Sequence, residues 1–340
     1  MVRFSGGIMQ EREYYFDNAK FVLIFLVVFG HFLRPYIEEN QFVHSIYVWI
    51  FLFHMPAFVL ISGYFSKNFH KKGYFKKLTK KLLIPYLIFQ LLYSLYYTVL
   101  YERDGFSIDF LIPHWGLWFL LSLFSWNALL YVFTKIPKKI SLGLTILLGI
   151  LVGFTDLEKF LSLSRTFTFF PFFLAGFLMR KKYFEVLSQP LLRWFSFSIL
   201  AGVFAAIYYF YPGLPEEWLY GSKSYETLGV TAETGILFKL LLYSVSFVMT
   251  FCLMSLIPHT KLTVSAIGTR TFYIYILHGF ILKYLHATNF PATIEKINGY
   301  PFIVIISIMV TFMLASKPVV QLVRPILEWK VPSSKHAFDR

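Results

Sequence analysis

Cysteine is almost missing from this chain. Cys252 is the one cysteine among 340 residues, so no internal disulfide can form and the redox compartment cannot be read. It lies in an apolar run, where a thiol packs as a small buried hydrophobe. Charge is also scarce, at 15% of residues against roughly 25% in a soluble domain. Acids are scarcest, with 18 Asp and Glu facing 32 Lys and Arg. No Walker loop, zinc-type His/Cys spacing or Gly-x-Ser-x-Gly elbow occurs, and no internal repeat is visible. Phosphate-loop, structural-zinc and serine-elbow chemistry are thereby excluded, and no metal is expected.

What fills the chain is apolar. Hydrophobic residues make up 57% and aromatics 21%, and the mean hydropathy is +0.61. Runs near the ~20 residues needed to span a bilayer occur near 18–37, 43–65, 82–101, 115–134, 140–156, 166–180, 192–211, 236–257, 268–287 and 299–317. The expected fold is an all-α, polytopic membrane bundle of about ten helices. Prolines predict a bend in 43–65 and a broken or re-entrant helix around Pro171.

The net charge of +14 would fit nucleic acid, but its distribution excludes that partner. Lys67, Lys71, Lys72, Lys76, Lys77, Lys80 and Lys81 fill one loop without an acid. The longest loop, 212–235, carries Glu216, Glu217, Glu226 and Glu233 against Lys223. Basic loops alternate with acidic or balanced ones, which predicts that both termini are cytoplasmic. The expected divisions are a cytoplasmic segment 1–13, a membrane domain 14–320 and a cytoplasmic tail 321–340. The polar, mixed first fifteen residues predict no cleavable signal.

Ionisable residues inside apolar runs are costly and usually functional. Lys20 and His31 are eleven residues apart, about three helical turns, so they share one face roughly 16 Å apart. Asp17 lies one turn before Lys20. An imidazole titrates near neutrality and suits a general base; a histidine satisfied by a neighbouring carbonyl is the structural alternative. His54 precedes Pro56 in the second run, and Ser62 and Gly63 allow close helix approach. Lys77, Lys80 and Lys81 either serve topology and anionic lipid or capture a phosphate-rich cytoplasmic donor. Arg165, at the head of a phenylalanine-rich run, either snorkels or orients a polar acceptor. His278 is a further intramembrane histidine. Trp118, Lys239, Lys283 and His286 read as weaker sites near interfaces.

Taken in order, these residues resemble the acyltransferase-3 family of integral-membrane acyltransferases, closest to its fucose 4-O-acetylase-like branch. The resemblance rests on Lys20 and His31, on Phe53-His54-Met55-Pro56 through Ser62-Gly63, and on Lys77 with Lys80-Lys81 before Leu-Ile-Pro-Tyr. Trp118-Phe119-Leu120, Arg165 with its Phe-Pro-Phe-Phe run and the Tyr-Ile-Tyr-Ile-Leu-His-Gly segment extend it over residues 14 to about 320. The family often has two arginines where this chain has only lysines, which lack the forked grip on phosphate. The resemblance implies an O-acetyltransferase with acetyl-CoA as donor and a glycan hydroxyl as acceptor, in a bacterial plasma membrane. His31 would be the base or a transient acyl carrier, with Lys20 and Asp17 at the entrance and Lys77, Lys80 and Lys81 on the CoA phosphates. His54, Ser62, Trp118, Arg165 and His278 would support the acceptor. Some relatives carry an extracytoplasmic hydrolase-like domain, so a separate partner or a homo-oligomer is a further expectation. A flippase for a lipid-linked glycan, or a sensory membrane protein, would fit the bare residues too.

Overall fold

The computed structural model describes residues 14–157 and 159–328. The expected segment 1–13 and positions 329–340 of the expected tail lie outside the described residues. Among the described residues every regular element is helical and none is a strand. In chain order the α-helices are α1 Tyr14–Leu33, α2 Gln41–Phe51, α3 His54–Tyr64, α4 Tyr74–Leu100, α5 Trp118–Phe133, α6 Lys138–Leu151, α7 Leu163–Leu178, α8 Lys181–Leu187, α9 Pro190–Phe210, α10 Glu217–Tyr220, α11 Ala232–Leu256, α12 Ser265–Gly268, α13 Thr271–His286, α14 Phe290–Lys296, α15 Tyr300–Leu314 and α16 Lys317–Leu327.

Every apolar run is helical, but the runs differ in reach. Among the described residues seven helical stretches are long and apolar enough to cross a membrane, or up to eight if the bent pair α15 and α16 forms one span. α6, α13 and α15 hold 14, 16 and 15 residues. At 1.5 Å per residue such helices reach about 21–24 Å, short of a ~30 Å hydrocarbon core. α16 lies at 60° to α15 and crosses the expected boundary at residue 320.

The second run breaks as expected, but upstream of its proline. α2 ends at Phe51 and α3 begins at His54. Pro56 has no N–H for the Leu52 carbonyl, so one bond of the helical ladder is missing at the turn where the two helices part. The His54 Nδ1–H donates to the Ile50 carbonyl at 2.9 Å and stitches the break. Around Pro171 the expectation fails, because α7 runs through it unbroken. The Phe167 carbonyl, which loses its partner, packs beside Gly149 of α6.

Two glycines set the approach of α3 to α7. A Cβ on Gly63 would overlap the Phe173 main-chain carbonyl, and one on Gly176 would overlap that of Leu60. With little hydrophobic force between helices in lipid, such close main-chain contact is what holds a pair together. Gly268 likewise lets α12 sit on the main chain of Asp17. Asn18 beside it is buried, donates to the carbonyls of Pro258 and Thr260 at 2.9 Å each, and accepts from Ser265 at 2.6 Å. The start of α1 is thereby fixed to the α11–α12 connection. Cys252 is buried and free, as its apolar run predicts.

Candidate active site

Four elements change what they line at one level of the bundle. On α1, Lys20 and Val27 line one cavity, whereas Val27, His31 and, just beyond the helix, Arg34 line a second. Along α3, Met55, Phe58 and Ser62 face the first, while His54 and Met55 face the second. On α13, Thr271, Phe272 and Tyr275 belong to the first, and Tyr275, His278 and Lys283 to the second. Around the start of α5, Phe119, Leu123 and Asn127 belong to the first, and Trp115, Gly116 and Trp118 to the second. Val27, Met55 and Tyr275 line both cavities and form a septum. The first encloses ≈ 420 Å³ and the second ≈ 290 Å³.

His31 stands four residues beyond Val27, one turn or about 6 Å further along α1. Its ring lies 4.4 Å from that of Trp115, 5.7 Å from His278 and 5.8 Å from Phe51, centroid to centroid. Trp115 also lies 5.0 Å from His278 and under the Lys283 ammonium at 5.5 Å. Its φ of 21° is unusual for a bulky residue, and its ring is seated against Gly279. The Tyr275 hydroxyl donates to the Gly116 carbonyl and closes the septum from α13 to the start of α5.

Two of the three histidines have fixed tautomers. His278 Nδ1 lies 2.6 Å from the Tyr275 carbonyl and 3.2 Å from that of Ile274. A carbonyl can only accept, so Nδ1 carries the proton and Nε2 presents a lone pair. That Nε2 is buried without a protein partner among the described residues. By the same argument His54, bound through Nδ1 to Ile50, keeps Nε2 as an acceptor. A hydroxyl in the second cavity would find both of these acceptors among the lining residues, with His31.

The rim of the second cavity is polar. Arg34 pairs with Glu216 at 2.9 Å and with Glu38 at 3.7 Å. The Tyr47 and Tyr220 hydroxyls share a hydrogen bond of 2.9 Å. Arg165 Nε donates to the Tyr220 carbonyl at 3.2 Å, and its guanidinium lies 5.4 Å from the Trp118 ring centroid.

Of the residues singled out in the sequence, His31, His54, Trp118, Arg165 and His278 gather around the second cavity. Lys20, Ser62 and Lys81 meet at the first. Asp17 sits behind Lys20, paired with it at 3.0 Å, and outside the lining. Lys77 and Lys80 also lie outside the lining, on the first turns of α4. Lys239 is buried elsewhere and donates to Thr168 Oγ1 at 3.1 Å, and His286 is absent from both linings. Trp115 heads an apolar run, where an aromatic ordinarily anchors at the interface, and Lys283 reads as a weaker site near an interface, yet both form the wall beside His31. Arg34, Tyr47, Tyr220 and Tyr275 carry no signal in the sequence beyond Tyr275's place in the Tyr-Ile-Tyr-Ile-Leu-His-Gly segment. Among the described residues no cluster of His, Cys, Asp and Glu could hold a metal ion.

Residues 13–316 match the acyltransferase-3 family model, described as an acyltransferase domain. A stretch of 60 residues is 40% identical to Nodulation protein NolL of Sinorhizobium fredii, and a 60-residue stretch is equally similar to Nodulation protein NolL of Mesorhizobium japonicum. Each of these matches covers 17% of this chain and 16% of the relative. No solved structure matches the chain.

Proposed function

The chain belongs to the acyltransferase-3 family, and from that premise we propose that it moves an acetyl group from acetyl-CoA to a hydroxyl of a cell-surface or lipid-linked glycan. The observation that carries this reading is the meeting of two cavities one turn from His31. The alternation of basic and acidic loops orients the Lys20 cavity toward the cytoplasm. Acetyl-CoA enters there, with Lys20 and Lys81 near its phosphates, and its thioester arm reaches the septum. The glycan occupies the other cavity, against the aromatic faces of Trp115 and Trp118.

His31 takes the proton of the acceptor hydroxyl as its oxygen attacks the thioester carbonyl. The C–S bond breaks, CoA leaves as thiolate and regains a proton, and an acetyl ester remains on the glycan. In the two-step variant the His31 imidazole attacks first, and the acetyl-imidazole then passes its acyl group to the hydroxyl. His54 and His278 accept hydrogen bonds from neighbouring hydroxyls of the acceptor and so hold the reacting one toward His31. This reading places the protein in the plasma membrane of a bacterium, with the bilayer, acyl donor and glycan as its partners.

Two cavities meeting at a septum also suit a flippase for a lipid-linked glycan. The donor separates the two. Purified protein given labelled acetyl-CoA and a glycan fraction should release CoA in step with labelled ester. His31→Ala should lower that release by ~10² or more. Glycan movement without thioester consumption would favour the flippase.

A further inference from the structure

The cavity beside His31 is lined by three cationic side chains and, among the described residues, by no acidic one. Arg34, Arg165 and Lys283 line it, and no Asp, Glu, Asn, Gln, Ser or Thr does. The hydroxyls of a neutral sugar donate protons and need acceptors around the ring. Here the uncharged acceptors are the histidine lone pairs, which suit the reacting hydroxyl and its neighbours, and the Tyr47, Tyr220 and Tyr275 hydroxyls, which are already bonded within the protein. The other polar groups point to oxygen atoms that carry negative charge.

The cations differ in their supports. Arg34 is balanced by Glu216 and Glu38. Arg165 is anchored through Nε on Tyr220 and stacked near Trp118. Lys283, half-buried near the end of α13, lies over Trp115 and makes no ion pair among the described residues. An aromatic face offsets part of the cost of withdrawing an ammonium from water and leaves the remainder to a counter-ion. A cavity of ≈ 290 Å³ holds about one sugar ring with a small substituent.

We propose that the acceptor is anionic: it bears a carboxylate or phosphate on, or next to, the sugar whose hydroxyl is acylated, and Arg165 and Lys283 hold that group. The proposal rests on the O-acyltransferase reading, and it names the substrate class of the same site. A guanidinium offers a fork to two oxygens and an ammonium a single strong point of charge. Together they would turn the sugar so that one hydroxyl lies among His31, His54 and His278.

The test is binding without a donor. The full chain in detergent is titrated with glucose, glucuronate and glucose 6-phosphate at low salt, read by titration calorimetry. At least one anion should bind about tenfold or more tightly than glucose, the gain of one charge-assisted contact. The glucuronate and phosphate arms tell which anion the site takes. Lys283→Met and Arg165→Met should each erase most of that preference, and Lys283→Arg should keep it. Thermal unfolding of each variant reports its folding. Glucose binding as well as both anions, no anion binding, or an unchanged preference in both folded methionine variants would overturn the proposal. None of these results touches acetyl transfer itself, which CoA release measures separately.

Discussion

Gly63→Ala is the sharpest perturbation of the scaffold that carries the site. The added methyl group would overlap the main-chain carbonyl of Phe173, and main chain cannot rotate aside as a side chain can. α3 and α7 must therefore separate, which also breaks the reciprocal seat of Gly176 on the Leu60 carbonyl. Overpacking of this kind costs about 1–3 kcal/mol. It also moves function, because α3 carries His54 and Met55 while α7 carries Arg165 and Phe169, all of which line the His31 cavity. A ~1 Å misplacement of reacting groups costs ~10²-fold in rate. Gly202→Ala is the control, since a Cβ there meets nothing within 4 Å on α9. It should leave activity unchanged and stabilise its helix by up to about 1 kcal/mol. Thermal unfolding of the solubilised protein and CoA release in proteoliposomes would be measured for both. A Gly63→Ala protein as stable and as active as Gly202→Ala would refute the reasoning about helix approach.

Three other perturbations follow from the same geometry. Trp115→Ala removes the ring that touches both His31 and His278 and supports Lys283; kcat should fall about 10–100-fold, with Trp115→Phe recovering most of it. Tyr275→Phe removes the hydroxyl that closes the septum onto Gly116; water should then reach the thioester, seen as CoA release without glycan at several times the wild-type rate. His114 concerns stability rather than catalysis. Burial, reinforced by the nearby Arg103, holds its imidazole below the ordinary value near 6.5, and its Nε2 lies 2.8 Å from Ser94 Oγ. The folded state thus prefers the neutral ring while the unfolded chain binds the proton first. Stability from this residue is full above about pH 6.5 and falls as pH drops toward the folded value. Thermal unfolding across that range should show the decline, and His114→Asn should flatten it.

The helical, membrane-spanning character was legible because apolar run length is a direct physical requirement. That His31, His54 and His278 lie inside apolar runs was legible in the same way, while their meeting at one cavity was implied only by the family resemblance and is seen in the fold. Reach was not legible, since run length says how apolar a segment is and not where neighbouring helices end it, as α6, α13 and α15 show. Pro171 misled because a proline's missing bond can be tolerated by packing, here beside Gly149. The wall beside His31 was hidden for two reasons. Trp115 and Lys283 have the composition of interface residues, and only the fold turns them inward. Leu219 and Tyr220 come from the long acidic loop 212–235, whose sequence has no period to place them. The lysine loop shows the limit of counting charge: of Lys77, Lys80 and Lys81, only Lys81 reaches the cavity lined by Lys20.

Sidedness tests the central claim, that His31 joins a donor cavity to an acceptor cavity across a septum. Sealed vesicles would hold the glycan acceptor inside, with the lysine-loop face of the protein outward, and labelled acetyl-CoA would be added outside only. The account predicts acetyl ester on the enclosed glycan with wild-type protein and none above background with His31→Ala at equal protein level. Labelling undiminished in His31→Ala, or labelling seen only when donor and acceptor share one side, would contradict it.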